Sequence, residues 1–263
     1  MKQKNSKKVI ITGASRGIGR ALALEFGSRG HELAIMARNG QSLAELCGLI
    51  NENGGKAVFI TTDVSNADKH KEDLIKAASM LGSVDIAVLN AGVSGFNWAY
   101  DFDLGKLKEK VDTNVYSVAA GIEALLPLML EQKHGYIAGV SSLADARGFP
   151  GSSFYCASKT ALTYILESAR VELKPKGITI ATIKPGFVRT DMTAKNKFYM
   201  PFLMEPGKAA KIIYRGIMKG KERIYFPRIM AFASYFGRIA PSFLYEWAAK
   251  SRLKMYEGQK QIL

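Results

Sequence analysis

Short apolar runs rich in β-branched residues alternate with amphipathic segments along most of this chain. Runs of four to eight apolar residues are typical of buried strands, and recurrence of apolar positions every three or four residues is typical of helices. We predict strands at 8–12, 32–37, 57–61, 86–89, 136–140, 178–183 and 223–226. We predict helices near 17–29, 41–53, 66–81, 105–133, 153–174 and 207–219.

This alternation predicts an α/β fold. Strands that are joined by helices form parallel βαβ units with right-handed crossovers. We therefore expect a doubly wound, Rossmann-like parallel sheet of about seven strands with helices on both faces. No Pro/Ser-rich linker or internal repeat divides the 263 residues, so a single domain is expected over 1–263. Two parts fit the pattern less well, an irregular loop at 191–205 and a basic, apolar C-terminal extension at 228–263.

The formal net charge of +14 lies at the two ends of the chain. Residues 1–8 carry four lysines and no acid, and residues 195–263 carry 14 basic and 4 acidic side chains, whereas 9–194 are balanced. A neutral centre argues against a nucleic-acid groove in the core. Basic ends suit an anionic partner such as a membrane surface, and a surplus that only keeps the protein in solution is the alternative.

The C-terminal extension mixes aromatic residues with arginine and lysine. Its apolar runs are too short to span a bilayer, and Arg238 and Pro241 interrupt them. This composition suits a segment that lies on an anionic membrane. Packing of 228–263 on the domain or in a subunit interface is the alternative.

Cysteine and histidine content gives no sign of a disulfide framework or a metal site. Two cysteines, Cys47 and Cys156, fit a reducing compartment, and no secretory signal is visible, so a cytoplasmic location is expected. The spacing of His31, His70 and His134 to cysteines and acids is not that of metal ligands, and no catalytic metal is expected. Cys156 is interpreted as a core residue.

A glycine-rich turn follows the first strand and opens the first helix, with the spacing Gly-x3-Gly-x-Gly. Glycines let the backbone turn sharply and approach a pyrophosphate, and a helix N-terminus offers free N–H groups to the anion. A tight turn without a ligand is the alternative. The predicted contacts are Gly13, Ser15, Arg16, Gly17, Ile18 and Gly19.

The end of the second strand bears on the choice of dinucleotide. An acidic residue there binds the 2′-hydroxyl of NAD, but this chain has Ala37, Arg38 and Asn39. A guanidinium suits a phosphate. We therefore predict a preference for NADP(H) through Arg38, with Arg16 pointing the same way; a merely solvated Arg38 is the alternative.

Tyr155 and Lys159 lie four residues apart at the start of a predicted helix, and therefore on one helix face. A nearby ammonium favours phenolate, so we expect the pKa of Tyr155 to be lowered from its usual value of about 10. Such a tyrosine could exchange a proton with an alcohol or carbonyl oxygen.

With this pair and the glycine turn, the chain resembles the short-chain dehydrogenase/reductase family over about residues 8–190. The other motifs that carry the resemblance are Asp63-Val64, Asn90-Ala91-Gly92, Asn114, Ser142 and the segment Pro185-Gly186-Phe187-Val188-Arg189-Thr190. The resemblance implies that Asp63 and Val64 contact adenine. It implies that Asn90, Ala91 and Gly92 pack beside the cofactor, and that Pro185, Gly186, Val188 and Thr190 hold the nicotinamide amide.

The resemblance also implies hydride transfer between nicotinamide C4 and a carbonyl or carbinol carbon. Tyr155 would act as the general acid/base, and Lys159 would lower its pKa and bind ribose. Ser142 would hold the substrate oxygen, and Asn114 would position a water molecule. Ser141 competes with Ser142 for this role, and family spacing favours Ser142.

Bland structural roles are the alternative for several of these positions. Asp63 could cap a helix, and Pro185-Gly186 could form only a turn.

The substrate side is expected to be apolar. Specificity should come from 93–100, 143–153 and 190–205, whose large apolar residues are Phe96, Trp98, Phe149, Phe198, Tyr199, Phe202 and Met204. An apolar or elongated, lipid-like substrate is the simplest interpretation, and packing of these residues on the protein itself is the alternative. A non-catalytic NADP-binding regulator is a second function class. Family members are often dimers or tetramers, so a homo-oligomer is expected.

Overall fold

In the computed structural model, which describes residues 6–194, 196 and 198–260, seven parallel strands form one sheet in the order β3-β2-β1-β4-β5-β6-β7. The first lysines of the basic N-terminus, Lys195 and Lys197 of the irregular loop, and the last three residues of the C-terminal extension lie outside the described residues. The strands are β1 Lys8–Thr12, β2 Glu32–Ala37, β3 Lys56–Thr61, β4 Ile86–Leu89, β5 Gly135–Val140, β6 Ile178–Pro185 and β7 Arg223–Phe226. The predicted doubly wound parallel sheet is confirmed.

Helices connect the strands and cover both faces of the sheet. They are α1 Gly17–Gly27, α2 Gly40–Glu52, α3 Ala67–Leu81, α4 Leu104–Val111, α5 Ser117–Gln132, α6 Ser153–Leu173, α7 Asp191–Ala194, α8 Pro206–Met218, α9 Arg228–Ile239 and α10 Ser242–Lys260. Five of the six predicted helices match within two residues. The sixth, near 105–133, is interrupted by a π-helical segment, Asp112–Tyr116, between α4 and α5.

Two buried clusters hold the helices on the sheet. Leu22 and Phe26 of α1 pack with α2 and α8 on one face. Leu74 of α3, Leu125 of α5 and Leu166 of α6 pack on the other. Each fully buried side chain of this kind stabilises the fold by roughly 1.5–3 kcal/mol relative to exposure. Both faces of the strands are covered, which is why the strands read as apolar runs rather than as alternating patterns.

The stretch Leu104–Gln132 is long and apolar enough to cross a membrane by length and composition alone. In the fold it connects β4 to β5, and α5 packs along α3. Its apolar side chains contribute to a buried cluster of the domain, as expected of a crossover helix in a parallel sheet.

In the part that the structure describes, the C-terminal extension forms two helices, α9 and α10, separated by Ala240 and Pro241. Pro227 lies at the N-cap of α9, where its extended backbone leads the chain out of β7. The helices α9 and α10 are additional to the six that the sequence predicts.

His70 makes the stability of this fold depend on pH. Its side chain is 1% exposed, and its Nδ1 atom has no hydrogen-bond partner among the described residues. Burial lowers the pKa of His70 to about 4. The unfolded chain, with a histidine pKa of about 6.5, therefore binds an extra proton between these two pH values. We therefore expect His70 to leave the free energy of unfolding unchanged above about pH 6.5. As the pH falls towards 4, protonation of His70 in the unfolded chain should lower this free energy by about 3 kcal/mol.

Urea unfolding at pH 7.5 and pH 4.5 measures this contribution. The free energy of unfolding of His70→Leu should fall less between the two pH values than that of the unchanged protein. His134→Leu is the matched control, because His134 is exposed. Equal losses in His70→Leu and the unchanged protein would contradict the assignment.

Candidate active site

The backbone of the glycine turn lies so close to neighbouring backbone that a side chain would not fit at Gly13 or Gly19. A Cβ on Gly19 would lie 2.2 Å from the Gly13 carbonyl oxygen. Gly13 has φ +67°, and a Cβ there would lie 2.8 Å from the Cα of Ala91. Both positions bring backbone against backbone, which only glycine allows. The turn is therefore built for close approach rather than for side-chain packing.

The N-terminus of α1 is open at this turn. Its N-cap residue, Arg16, is extended at φ −155° and makes no side-chain cap bond to the first N–H groups. These N–H groups and the positive end of the helix dipole fit a pyrophosphate. The residues present therefore suit the dinucleotide that the sequence predicts.

Arg38 and Asp63 lie at the adjacent ends of β2 and β3. The Ala14 N–H donates to the Met36 carbonyl at 3.1 Å, which holds the end of β2 beside the glycine turn. Arg38 is exposed there. Partial burial acts to raise the pKa of Asp63, but hydrogen bonds from Ser65 and the charge of Arg38 outweigh it and lower that pKa.

Asp63 does not cap the following helix. Its Oδ1 atom accepts from the Ser65 N–H at 3.0 Å, while the N-cap of α3 is Asn66. The helix-cap alternative for Asp63 is therefore wrong. Val64 beside it is 7% exposed.

Arg16 pairs with Asp191 of α7 at 3.0 Å. Both side chains are about two-thirds exposed, at 69% and 68%. A Cβ on Gly17 would lie 3.0 Å from Thr190 Cγ2, so the turn and the start of α7 are close neighbours. Arg16 thus links the glycine turn to the irregular loop, while Ser15 and Ile18 are partly exposed in the same turn.

Asn90 ties the end of β4 to the end of β1. Its side-chain amide donates to the carbonyls of Thr12 and Gly13 at 3.0 and 3.2 Å. The N–H groups of Asn90 and Ala91 donate to Thr12 Oγ1. These bonds from the end of β4 fix the backbone of the glycine turn at Thr12 and Gly13. A Cβ on Gly92 would lie 3.3 Å from Lys159 Nζ, so Gly92 leaves the room for that lysine.

Asn114 sits in the π-helical segment and is fully buried, at 0% exposed. It exchanges two hydrogen bonds with the backbone of Val93, at 2.8 and 2.9 Å, and donates to Ser158 Oγ at 3.0 Å. These bonds hold the segment after β4 against α6. Single π-helical turns inside helices occur frequently at functional sites.

Ser141 and Ser142 take different directions after β5. Ser141 Oγ donates to the Lys159 carbonyl at 3.0 Å and lies 2.9 Å from Thr163 Oγ1, so it faces α6. The Ser142 side chain instead lies next to Tyr155, where its interaction with the phenol acts to lower the pKa of Tyr155. Ser142 also accepts from the Ala144 N–H at 3.1 Å. The geometry thus pairs Tyr155 with Ser142 and leaves Ser141 in a packing role.

Tyr155 and Lys159 lie on one face of α6, with Lys159 Nζ 5.9 Å from the centre of the Tyr155 ring. The expected lowering of the Tyr155 pKa is wrong in direction. Although part of Tyr155 is exposed, burial raises its pKa to about 12. The interaction with Ser142 opposes this rise, and the charges of Cys156 and Asp145 add to it.

Lys159 is 4% exposed and donates to the Val140 carbonyl at 2.9 Å. Burial lowers the pKa of Lys159 to about 8. Desolvation disfavours both charged forms, and here it outweighs the attraction between them that the sequence suggests.

A buried ion pair that the sequence does not predict lies close to α6, the helix that carries Tyr155 and Lys159. Lys184 Nζ of β6 is 2.6 Å from Asp145 Oδ2, and both side chains are under 10% exposed. Asp145 also accepts from Thr163 Oγ1 at 2.6 Å. The two charges are 39 residues apart in sequence, and no motif joins them, so only the fold reveals the pair.

The segment after β6 is held from two sides. The Gly186 N–H donates to the Phe226 carbonyl at 2.7 Å. Val188 pairs with Met204 as an isolated parallel bridge, and Thr193 Oγ1 donates to the Val188 carbonyl at 2.7 Å. Together these bonds place 185–190, with Pro185 and Thr190, at the carboxyl edge of the sheet.

Two of the three expected substrate segments, 93–100 and 143–153, contact each other. Asn97, 2% exposed, donates to Ser153 Oγ at 2.7 Å and ties 93–100 to the start of α6. Phe187 and Phe198 pack edge to face at 5.8 Å. Tyr199 and Phe202 are exposed, at 83% and 55%. Some of these apolar residues therefore pack on the protein, and others remain open to solvent.

The described residues contain no group of three histidine, cysteine, aspartate or glutamate side chains that could hold a metal ion.

Known proteins resemble this chain over most of its length. The family profile described as short chain dehydrogenase matches residues 7–198. An uncharacterized oxidoreductase of Myxococcus xanthus is 36% identical over 250 residues, which is 95% of this chain and 99% of the relative. The 3-oxoacyl-[acyl-carrier-protein] reductase FabG of Staphylococcus epidermidis is 34% identical over 189 residues, 72% of this chain and 78% of the relative.

Solved structures agree on the fold. A short chain dehydrogenase/reductase from Burkholderia phymatum in complex with NAD has a TM-score of 0.79 at 23% identity, covering 88% of this chain and 93% of that one. An alcohol dehydrogenase from Thermococcus sibiricus complexed with 5-hydroxy-NADP has a TM-score of 0.77 at 25% identity, covering 84% and 96%. The chain belongs to the short-chain dehydrogenase/reductase family of oxidoreductases.

Proposed function

We propose that this protein is an NADP(H)-dependent oxidoreductase that interconverts a carbonyl compound and its alcohol, with Tyr155 as the general acid/base. The observation that carries the proposal is that Tyr155 lies beside both Ser142 and Lys159: the side chain of Ser142 acts on the Tyr155 hydroxyl, and the buried Lys159 Nζ lies 5.9 Å from the centre of the Tyr155 ring. A binding protein without catalysis has no need of this arrangement.

In the reductive direction, Ser142 would hold the substrate oxygen and Tyr155 would give it a proton. A phenol with a pKa of about 12 keeps its proton at physiological pH, so Tyr155 meets the substrate in the acid form. An alkoxide is more basic than a phenolate, and the transfer is therefore favourable. The bound nicotinamide cofactor supplies or accepts the hydride.

Lys159 would support this step through its charge. With a pKa of about 8 it is mostly protonated near pH 7, and an ammonium close to Tyr155 stabilises the phenolate that forms. Asn114 would act by holding the segment at Val93 and, as the family resemblance suggests, by positioning a water molecule for the proton relay.

The cofactor would lie along the carboxyl edge of the sheet. We propose that it is held by the glycine turn (Gly13, Ser15, Arg16, Gly17, Ile18 and Gly19), by Arg38, Asp63, Val64, Asn90, Ala91 and Gly92, by Tyr155 and Lys159, and by Pro185, Gly186, Val188 and Thr190. Arg38 supports NADP(H), since it is an exposed cation at the end of β2 with no acid at 37–39.

Replacing Arg38 by aspartate should weaken NADPH binding by about 10- to 100-fold, because a charge-assisted hydrogen bond contributes roughly 1.5–3 kcal/mol. NADH binding should strengthen or stay the same. The Kd values for both dinucleotides can be measured by the fluorescence of the reduced nicotinamide. Arg20→Asp is the control, since Arg20 is an exposed arginine on α1. Equal weakening of NADPH and NADH by Arg38→Asp would show that Arg38 does not read the 2′-phosphate.

The substrate class follows from the apolar segments around the site. We propose an apolar or lipid-like ketone or aldehyde, supported by the exposed Phe96, Tyr199 and Phe202 near the ends of these segments. Following NADPH oxidation with carbonyl compounds of increasing chain length tests this. We expect kcat/KM to rise with chain length, and a preference for the shortest compounds would contradict it.

We further propose a single-domain, cytoplasmic homo-oligomer that contacts the inner face of a membrane through 228–263. Exposed apolar residues on α5 and α6, such as Leu130, Ile165 and Val171, support a subunit interface there. Arg238 of α9 donates a hydrogen bond to the Tyr164 hydroxyl of α6, so the extension already covers part of this face.

A further inference from the structure

The helix α9 packs on the domain in an unusual orientation. Its partly buried positions are the small residues Ala231, Ser234 and Gly237, together with Met230. The large apolar residues of α9 face outward, with Phe232 66% and Ile239 63% exposed. A surface helix of a globular protein usually buries its large apolar residues and exposes its polar ones. The pattern on α9 is the reverse.

Large apolar residues are also exposed on the first turns of α10, which follows α9 after Ala240 and Pro241. We call these exposed apolar residues of α9 and α10 together the outer face. It consists of Ile229, Phe232, Tyr235, Phe236, Ile239, Phe243, Leu244 and Trp247, all exposed. A monomer in water rarely leaves so many large apolar side chains exposed along one short stretch of chain.

The charges beside the outer face indicate what covers it. Arg228, Arg238 and Lys250 are exposed, and the sequence has six basic residues but a single acidic residue, the exposed Glu246, within 223–256. A two-fold interface would place this surface against itself, with several basic side chains from each copy and only one carboxylate per copy, Glu246, to pair with them. Anionic lipid headgroups supply the complementary charge, and phenylalanine, tyrosine and tryptophan suit the membrane interface.

We propose that the outer face docks on an anionic membrane surface. The helix α9 has 12 residues, well short of the roughly 20 that span a bilayer, so it would lie in the interface with its apolar side chains inserted. The proposal deepens the function proposed above and, for substrate delivery, rests on it.

The docking helix adjoins the proposed active site. Ser234 Oγ donates to the Leu143 carbonyl, next to Ser142, at 2.9 Å. Arg147 Nε donates to the Gly237 carbonyl at 2.8 Å, near the C-terminus of α9. On the other side of the site, a Cβ on Gly186 would lie 3.1 Å from Met230 Sδ. A carbonyl lipid in the bound membrane would therefore meet the site beside α9.

Vesicle flotation with the full-length protein tests the docking. Vesicles of phosphatidylcholine alone are compared with vesicles that also contain phosphatidylglycerol. We expect binding that requires the anionic lipid and weakens at high salt. Phe232→Ser/Phe236→Ser should weaken partitioning by at least about tenfold, since each buried phenylalanine contributes strongly to transfer from water. Ile75→Ser is the control, because Ile75 is 54% exposed on α3, outside the outer face.

Several results would overturn the proposal. The first is that the protein does not bind the anionic vesicles. The second is that the Phe232→Ser/Phe236→Ser variant binds them as well as the unchanged protein does. The third is that the unchanged protein forms a dimer in analytical ultracentrifugation, that the double variant does not, and that neither binds vesicles. The last result would assign the outer face to a second copy of the chain.

Turnover of a water-soluble aldehyde with NADPH separates this proposal from the function proposed above. The Phe232→Ser/Phe236→Ser variant should retain that turnover, because neither residue belongs to the proposed catalytic set. If the unchanged protein turns over the aldehyde but does not bind vesicles, the docking proposal is contradicted and the proposed function is not. If the protein binds vesicles but turns over no carbonyl compound, the proposed function is contradicted and the docking proposal is not.

Discussion

Replacing Tyr155 by phenylalanine should lower kcat by about 10²- to 10⁴-fold, which is the usual contribution of a positioned general acid. The change removes one hydroxyl, the one that interacts with Ser142, and leaves the ring that lies near Lys159. The Kd for NADPH should change little. Steady-state turnover of a carbonyl substrate and nicotinamide fluorescence measure the two quantities.

The matched control is Tyr116→Phe. Tyr116 is 57% exposed and lies at the end of the π-helical segment, so its hydroxyl has no part in the proposed proton transfer. Near-normal turnover in Tyr155→Phe would remove Tyr155 from the role of general acid. Equal losses in both variants would point to a general disturbance of the fold.

The sheet and the glycine turn could be predicted from the sequence because both depend on local patterns. Apolar runs of β1 and β4 are buried on both faces of a parallel sheet, and this makes them easy to recognise. The glycines of the turn follow from the need for backbone to approach backbone, which the 2.2 Å distance from a Gly19 Cβ to the Gly13 carbonyl oxygen shows directly.

The pKa of Tyr155 could not be predicted in the same way. The sequence gives the neighbouring charge of Lys159, but burial of both groups is a property of the whole fold. Burial raises the pKa of Tyr155 and lowers that of Lys159. This desolvation is a larger effect than the attraction between phenolate and ammonium, which is the only one of the two that the sequence reveals. The break at Asp112–Tyr116 is of the same kind, because it accompanies long-range bonds from Asn114 to Val93 and Ser158.

The orientation of α9 was also beyond the sequence. The sequence predicts no helix over 228–239, and nothing in its pattern reveals that α9 turns its small residues inward. Ser234 and Gly237 pack inward because they bond to Leu143 and Arg147, residues about 90 positions earlier in the chain. Contacts at such separation leave no periodic pattern.

Replacing Asp145 by asparagine should destabilise the fold by about 3–5 kcal/mol, the cost of leaving a buried charge without its partner. The side chain would keep its size and could still accept from Thr163 Oγ1, but the ammonium of Lys184, 2.6 Å away and 9% exposed, would lose its counter-charge. The free energy of unfolding in urea measures the loss.

Adding Lys184→Met to Asp145→Asn should recover a large part of that stability, because the double variant buries no unpaired charge. Asp191→Asn is the matched control. It breaks the exposed pair with Arg16, and we expect a loss of no more than about 1 kcal/mol. A comparable small loss in Asp145→Asn would show that water reaches Lys184. The pair would then contribute little to holding the loop after Ser142, and the bonds from Thr160 to the Asp145 carbonyl and from Ser234 to the Leu143 carbonyl would hold it instead.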